Sequence, residues 1–179
     1  MNPLLRFARA VDAFNARVGA IANVLVLLAC AISAGNAFLR KGLDISSNAW
    51  LEAQWYCFAG IVMLGAAWTL QRNEHVRVDV FYGRLSPRAQ AWIDVLGTVL
   101  FLLPMAGILA WLSWPMFQAS YTIGEMSSDA GGLLRWPVKL LLPLGFALLF
   151  AQGLSELIKR ISYLRGHAEF AAHYERPLQ

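Results

Sequence analysis

The sequence predicts an all-α integral membrane protein that crosses the bilayer with four transmembrane helices and keeps both termini in the cytoplasm. Composition indicates the class, because 58% of the 179 residues are hydrophobic and 15% are charged, whereas about 25% of the residues in a soluble domain are charged. The apolar residues also gather in four long runs instead of recurring at the spacing of a soluble core. Basic residues between these runs then predict the orientation.

The first predicted span covers residues 18–39, which contain no charged side chain. A hydrocarbon core of about 30 Å requires about 20 helical residues, so this run is long enough to cross it. The preceding residues 1–17 are expected on the cytoplasmic side, and apolar side chains follow one helical face of residues 4–18. Two interpretations remain open: an amphipathic helix that lies in the membrane interface, or a cytoplasmic extension of the first span.

The second predicted span covers residues 50–70, and the third covers residues 92–117. Tryptophans near both ends of each span are expected at the membrane interfaces, where amphipathic rings concentrate. Ser86 followed by Pro87 predicts that the third helix begins there, because serine is a favoured N-cap and proline fits the first helical turn. Pro104 is expected to distort this helix, since proline removes one backbone hydrogen bond.

The fourth predicted span covers residues 136–158 and opens with a Trp-Pro pair. Beyond it, the helix is expected to continue into the cytoplasm until Gly166, because glycine commonly ends a helix. Residues 166–179 show no periodic pattern and are interpreted as a cytoplasmic tail. The chain is therefore interpreted as a single membrane domain over residues 1–179.

The orientation follows from the basic residues, because cytoplasmic loops retain lysine and arginine. Eleven of the fifteen basic residues lie in the N-terminal segment, in the loop between the second and third spans, and in the C-terminal segment. Four lie in the other two connections: Arg40, Lys41, Arg135 and Lys139. The net charge of +4 is therefore explained by membrane topology, and a nucleic-acid partner is not expected.

Few residues in the sequence are suited to catalysis or to binding a cofactor. The two cysteines lie in different spans without CxxC spacing, and the three histidines lie outside the spans, which argues against zinc and haem sites. The sequence contains no glycine-rich phosphate loop and no GxSxG motif. We therefore expect no enzymatic activity, no catalytic or metal-binding residues and no cofactor.

Four ionisable residues fall in or near the predicted spans: Glu52, Asp94, Lys139 and Glu156. Such residues are candidates for ion or proton pathways by default. All four lie near span ends, however, where the headgroup region keeps a charge partly hydrated and carboxylates favour helix N-termini. We favour this structural interpretation over a proton relay.

The loops carry the most specific sequence patterns. The second loop contains residues 73–79 (NEHVRVD) and 85–88 (LSPR), and the third contains residues 124–128 (GEMSS), 131–133 (GGL) and 136–139 (WPVK). Residues 143–146 (PLGF) and 152–153 (QG) follow in the fourth span. In order and spacing, over about residues 36–159, these segments resemble the small permease subunit (DctQ type) of tripartite ATP-independent periplasmic (TRAP) transporters. Leu134 departs from the family pattern, in which proline precedes the Arg-Trp pair.

The resemblance implies a multi-pass protein of the bacterial inner membrane that acts as a scaffold and does not itself hold the substrate. Its implied partners are the large permease subunit of the same transporter, a periplasmic substrate-binding protein and membrane lipids. The assembled transporter would take up an organic acid together with sodium, such as a 2-oxo acid or a dicarboxylate. The alternative is a self-sufficient four-helix transporter, which would need polar groups near the membrane midplane, and the spans contain few.

The positions expected to form a partner interface or a family motif lie mostly in or beside the loops. They are Asn36, Arg40, Glu52, His75, Arg77, Asp79, Gly124, Glu125, Ser127, Gly131, Gly132, Trp136 and Lys139. For the third loop, a rim that contacts a partner and a simple turn between two spans are weighed about equally. For His75, Arg77 and Asp79, a cytoplasmic turn held by local polar contacts is favoured over a binding site.

Overall fold

The computed structural model describes residues 3–44, 47–75 and 82–166, which form four long helices. The helix bounds are Pro3–Gly42 for α1, Asn48–Gln71 for α2, Pro87–Gly97 for α3, Leu103–Thr122 for α4 and Trp136–Leu164 for α5. A π-helical turn, Thr98–Leu102, joins α3 to α4, so that the two form one helical rod of 36 residues. The described part of the chain contains no β-strand.

Each of the four helices is long and apolar enough to cross a membrane. Large apolar side chains point outward, among them Leu27, Phe101 and Trp111, which are 72%, 74% and 78% exposed. Soluble monomers rarely expose contiguous apolar surface on this scale. The predicted fold class, an all-α protein with four helices suited to spanning a membrane, is therefore confirmed.

The helix α1 continues through the segment before the first predicted span without a break. At 1.5 Å per residue, its 40 residues extend over about 60 Å. Ala8 and Asn15 in this segment are each 1% exposed, because they lie against the end of α5. Of the two interpretations of residues 4–18, the structure shows the extension of the first helix and not a separate amphipathic helix.

Two helix boundaries predicted from capping residues are confirmed. The Ser86 side chain accepts a hydrogen bond from the Ala89 N–H at 3.4 Å, and Pro87 is the first residue of α3. At the other predicted boundary, α5 ends at Leu164, and Gly166 follows with a φ of +74°. Glycine adopts this left-handed conformation without the steric cost of a Cβ atom, so it ends the helix.

Pro104 distorts the third membrane helix by way of a π turn. It lies in the first turn of α4, directly after Thr98–Leu102. A proline ring clashes with the carbonyl four residues earlier and offers no N–H to the helix ladder. In the wider π turn, the Leu103 N–H bonds to the Thr98 carbonyl five residues back, which accommodates the defect. The expected distortion is present, and its π-helical form is an addition that the proline alone does not predict.

The helix α5 is central to the bundle, because all the other helices contact it. Close approach depends on small residues between helices. A Cβ atom added at Gly19 of α1 would lie 2.6 Å from the Trp68 ring of α2, and one added at Gly145 of α5 would lie 2.8 Å from the Met63 backbone oxygen. Lipid provides no hydrophobic driving force between helices, so packing of this kind holds the bundle together.

The start of α1 and the end of α5 lie at the same end of the bundle, which we call the terminal end. The opposite end carries the connection between α4 and α5, residues 123–135, which we call loop 3. An even number of membrane crossings requires this arrangement. The assignment of the terminal end to the cytoplasm, which rests on the count of basic residues, stays a prediction.

Candidate interaction site at loop 3

Loop 3 folds back on itself through two backbone hydrogen bonds. The Ser127 N–H donates to the Leu133 carbonyl at 2.9 Å, and the Arg135 N–H donates to the Glu125 carbonyl at 2.8 Å. Neither bond uses the N–H of Leu134, the residue that stands in place of the family proline. Because proline differs from leucine in lacking that N–H, the departure from the family pattern leaves these two bonds unchanged.

Two glycines of the predicted motif shape the backbone of loop 3. Gly124 has a φ of +60° where the chain leaves α4, and Gly131 has a φ of +72° at the tip of the loop. Residues with a Cβ atom are strained in this left-handed region, whereas glycine is not. Each of these two glycines therefore lies at a point where the chain changes direction.

Glu52 of α2 is the side chain over which loop 3 closes. One of its oxygens accepts a hydrogen bond from the Ser127 hydroxyl, and the other accepts one from the Leu133 N–H at 2.7 Å. Burial of a carboxylate is unfavourable unless donors of this kind replace water. The expected partial hydration of Glu52 is wrong, because loop 3 covers the residue and leaves it 4% exposed. The preference for a structural role over a proton relay stays a prediction.

Gly132 provides the space for this contact. A Cβ atom at this position would lie 2.8 Å from Oε1 of Glu52 and would overlap the Ser127 side chain. Only a residue without a side chain allows the loop backbone to approach the carboxylate so closely. Gly132 is therefore required by the contact with α2 and not by a turn of its own.

One face of α2 carries the residues that hold loop 3. Asn48 Nδ2 donates to the Ala130 carbonyl at 3.1 Å, and the Tyr56 hydroxyl donates to the Leu134 carbonyl at 2.7 Å. Together with Glu52, these residues recur every four positions, which places them one above another on the helix. The first three turns of α2 thus carry a polar stripe whose side chains form hydrogen bonds with loop 3.

An ion pair between Glu125 and Lys139 ties loop 3 to the first turn of α5. The hydrogen bond from Lys139 holds the pKa of Glu125 below its ordinary value. Beside this pair, Trp136 contacts Tyr121 edge to face, with ring centroids 5.5 Å apart and an interplanar angle of 89°. Loop 3 is thus attached to α2 by hydrogen bonds and to α5 by an ion pair, and Tyr121 and Trp136 join the ends of α4 and α5 beside it.

The structure brings most of the predicted site positions together at this end of the bundle. These are Glu52, Gly124, Glu125, Ser127, Gly131, Gly132, Trp136 and Lys139. Asn36 is half-buried and Arg40 is exposed on α1, and His75 is exposed after the end of α2. Arg77 and Asp79 lie outside the described residues. A role of these positions in contacting a partner stays a prediction.

A second polar cluster, at the terminal end, was not predicted from the sequence. We call it the terminal network, and it consists of Asp12, Asn15, Gln152, Ser155, Glu156 and Lys159. Asn15 Nδ2 donates to Oε1 of the fully buried Gln152 at 2.8 Å, and Gln152 Nε2 donates to Asp12 Oδ1 at 2.8 Å. The amide of Gln152 therefore joins two side chains of α1 to α5.

Ion pairs complete the terminal network on its outer side. Lys159 Nζ lies 3.1 Å from Asp12 Oδ2 and 2.5 Å from Glu156 Oε1. The signal available in the sequence was the polar stripe at Gln152, Glu156 and Lys159, which follows helical spacing on one face of α5. It was missed because its partners on α1 lie more than a hundred residues earlier in the chain.

The chemistry of both clusters is that of attachment between parts of the chain. Within the described ranges, no group of three histidine, cysteine, aspartate or glutamate side chains is arranged to hold a metal ion. Loop 3 also presents apolar side chains to its surroundings, since Ile123 is 73% exposed and Met126 is 57% exposed. An apolar surface on a loop that is held in place is suited to contact with another protein.

Comparison with known proteins agrees with the resemblance inferred from the loops. Residues 30–162 match the family described as tripartite ATP-independent periplasmic transporters, DctQ component. A Pseudomonas aeruginosa protein named C4-dicarboxylate TRAP transporter small permease protein DctQ is 32% identical over 133 residues, which cover 73% of this chain and 61% of that relative. No solved structure matches the chain. Because the family match extends over most of the sequence, this protein belongs to the DctQ family of TRAP transporter small permease components.

Proposed function

We propose that this protein is the scaffold subunit of a TRAP transporter in the bacterial inner membrane, with both termini in the cytoplasm. Its partners are a large permease subunit, which carries the solute, and a periplasmic binding protein, which delivers it. The complete transporter takes up an organic acid together with sodium. Family membership supports the identity of the component, and the distribution of polar groups supports the scaffold role.

The observation that carries the scaffold role is the absence of charged residues between the two ends of the bundle. The uncharged stretches of the four helices are residues 18–39, 53–71, 95–122 and 140–155. A carrier that bound a carboxylate and sodium by itself would need ionisable or polar groups near the membrane midplane. The apolar middle and small-residue contacts of this protein suit a fixed body against which another subunit moves.

Loop 3 is the surface that we assign to partner contact. It lies opposite the terminal end, so the count of basic residues assigns it to the periplasmic side. The polar stripe on α2 and the ion pair with α5 fix its backbone, while Ile123 and Met126 remain exposed. A fixed loop with an apolar tip loses little conformational entropy when a partner binds to it.

The solute is expected to be a small carboxylate. The relative from Pseudomonas aeruginosa is named for C4-dicarboxylates, so these are the first compounds to test, followed by 2-oxo acids. Selection among them belongs to the binding protein and to the large permease. We therefore expect the residues of loop 3 to be independent of which solute the transporter takes up.

Copurification and transport together test the proposed function. A tagged copy is extracted from its native membrane in mild detergent, and the proteins that remain bound are identified by mass spectrometry. We expect one large multi-helix permease, and we expect sodium-driven uptake of a carboxylate in proteoliposomes only when that permease and the binding protein are present. Uptake by the purified chain alone would overturn the scaffold role in favour of a self-sufficient transporter.

The role of loop 3 is tested with a substitution at its apolar tip. Met126→Ser should lower recovery of the permease or uptake by about tenfold, because it removes an exposed side chain of the kind that anchors protein interfaces. Leu43→Ser is the matched control, since Leu43 is 60% exposed in the connection after α1. Equal recovery and equal uptake for both variants would exclude the Met126 tip from the interface.

A further inference from the structure

An open cavity of about 290 Å³ lies at the terminal end, between the end of α2, the end of α3 with the π turn, and the end of α5. Its polar lining residues are Asn73, Tyr82, Asp94, Thr98, Glu156 and Arg160. Glu156 also belongs to the terminal network, but neither that network nor loop 3 nor the scaffold role accounts for the other polar groups. The cavity is therefore a candidate site in its own right.

Charges of both signs line this cavity. Arg160 lies 3.3 Å from Asp94, and each of these side chains is 13% exposed, so the pair forms part of the wall. The Tyr82 hydroxyl donates to Asp94 at 2.9 Å, and Glu156 supplies a second carboxylate to the lining. The cavity thus offers a guanidinium group, which suits a phosphate, next to carboxylates, which suit an ammonium group.

An apolar groove of about 520 Å³ continues from this cavity along the outer face of the third membrane helix. Gly97 and Leu102 line both the cavity and the groove, so the two are joined. The rest of the groove is formed by the π turn and the first turns of α4, and includes Leu100, Phe101, Pro104, Met105 and Ile108. These residues expose apolar surface to the membrane.

The length of the groove matches one leaflet of a bilayer. From Gly97 to Ile108 the helix rises about 16 Å at 1.5 Å per residue. Half of a hydrocarbon core of about 30 Å is about 15 Å. A chain that entered the groove beside the polar cavity would therefore reach the middle of the membrane.

We propose that the cavity and the groove together bind one phospholipid that has a primary ammonium headgroup, of the phosphatidylethanolamine type. Its phosphate lies at Arg160, its ammonium group faces Asp94 and Glu156, and one acyl chain lies in the groove. Asp94 is already paired with Arg160, and Glu156 with Lys159, so an anionic headgroup without an ammonium group would bring an additional negative charge to this cluster. A choline headgroup would match the charges but cannot donate hydrogen bonds to the carboxylates.

Native mass spectrometry of the full-length protein, with any partner that remains bound in mild detergent, tests this site. The probes are phosphatidylethanolamine, phosphatidylcholine and phosphatidylglycerol with identical acyl chains. We expect phosphatidylethanolamine to be retained about tenfold more than either of the others, which corresponds to the loss of one or two charge-assisted hydrogen bonds. Asp94→Asn should reduce this preference.

Gly97→Leu is the decisive variant, because Gly97 lies where the cavity meets the groove. A Cβ atom at this position meets no other atom within 4 Å, so the substitution fills the passage without disturbing the fold. Gly35→Leu is the matched control, since Gly35 is a helical glycine of α1 with equally open surroundings. We expect Gly97→Leu to abolish selective retention and Gly35→Leu to preserve it.

Three results would overturn the proposal. Equal retention of the three lipids by the native protein would show only a general lipid shell around the helices. Preference for phosphatidylglycerol would show that the headgroup chemistry is anionic. Loss of the copurifying permease in Gly97→Leu, with phosphatidylethanolamine retention unchanged, would show that a protein helix occupies the groove.

Discussion

The two ends of the bundle are both held by polar contacts, but they are built differently. At the loop 3 end, a short connection closes over one face of α2, and most of the bonds run between a side chain and the backbone. At the terminal end, side chains of α1 and α5 bond to one another across the interface between two helices. Loop 3 is thus an addition to the bundle, whereas the terminal network is part of its packing.

This difference predicts different consequences of mutation. When a loop 3 contact is lost, its donor and acceptor groups can form hydrogen bonds with water, because the loop lies at the end of the bundle. Loss of a member of the terminal network leaves a polar group buried without a partner, which is unfavourable by about 1 to 3 kcal/mol for each group. Changes at the terminal network should therefore affect the stability of the fold, and changes at loop 3 should affect the opening of the loop.

The largest effect is expected for Gln152→Leu in the terminal network. The substitution removes the partner of Asn15 and one partner of Asp12, so we expect the free energy of unfolding in detergent to fall by about 3 kcal/mol. The double variant Asn15→Leu with Gln152→Leu should recover part of this loss, because two apolar side chains leave no unpaired amide between them. A single variant as stable as the native protein would show that the network does not hold the helices together.

A smaller and more local effect is expected for Glu52→Gln at loop 3. The neutral side chain keeps its shape but has one acceptor oxygen in place of two, so it cannot accept hydrogen bonds from both the Ser127 hydroxyl and the Leu133 N–H. Hydrogen exchange of the loop 3 amides should become about tenfold faster, while the midpoint of thermal unfolding stays nearly unchanged. Glu74→Gln, at an exposed carboxylate after α2, is the control and should leave loop 3 exchange as it is. A large fall in the unfolding midpoint would mean that loop 3 is part of the cooperative core.

The ion pair at loop 3 predicts a dependence on pH. The folded-state pKa of Glu125 lies below its ordinary value of 4.5, so its contribution to loop stability is complete above that value and is lost as the pH falls through the folded-state pKa. Loop 3 amides should therefore lose protection during acidification below about pH 4.5. The Glu125→Gln variant should show a smaller pH dependence, with Glu52 as the remaining carboxylate under the loop. An identical pH profile for both proteins would rule out a contribution from the pair.

The smallest effect is expected for Asn48→Ala. Asn48 is exposed, and its hydrogen bond to the Ala130 carbonyl competes with water. We expect the free energy of unfolding to change by about 0.5 kcal/mol or less, with a slight increase in exchange at the tip of loop 3. Gln54→Ala, on a different face of α2, gives the baseline for truncating an amide on this helix. An effect of Asn48→Ala as large as that of Gln152→Leu would remove the distinction between the two ends.

Several features of this protein are determined by the sequence alone, because they depend on local or summed properties. Four long and predominantly apolar runs require four helices in a hydrocarbon environment, where backbone groups have to bond internally. Ser86 with Pro87, and Gly166, define helix boundaries through their own backbone preferences. The glycines of loop 3 were likewise identifiable, because chain reversals require particular residue types.

Only the tertiary structure decided which distant residues meet. Glu52 and Leu133 are separated by 81 residues, and Asp12 and Gln152 by 140, so no local pattern relates them. The burial of Glu52 and the terminal network depend on the relative positions of helices, which small residues such as Gly19 and Gly145 allow to pack closely. Side-chain type and spacing determine a helix, but the partners of its polar groups are determined by where the other helices pack.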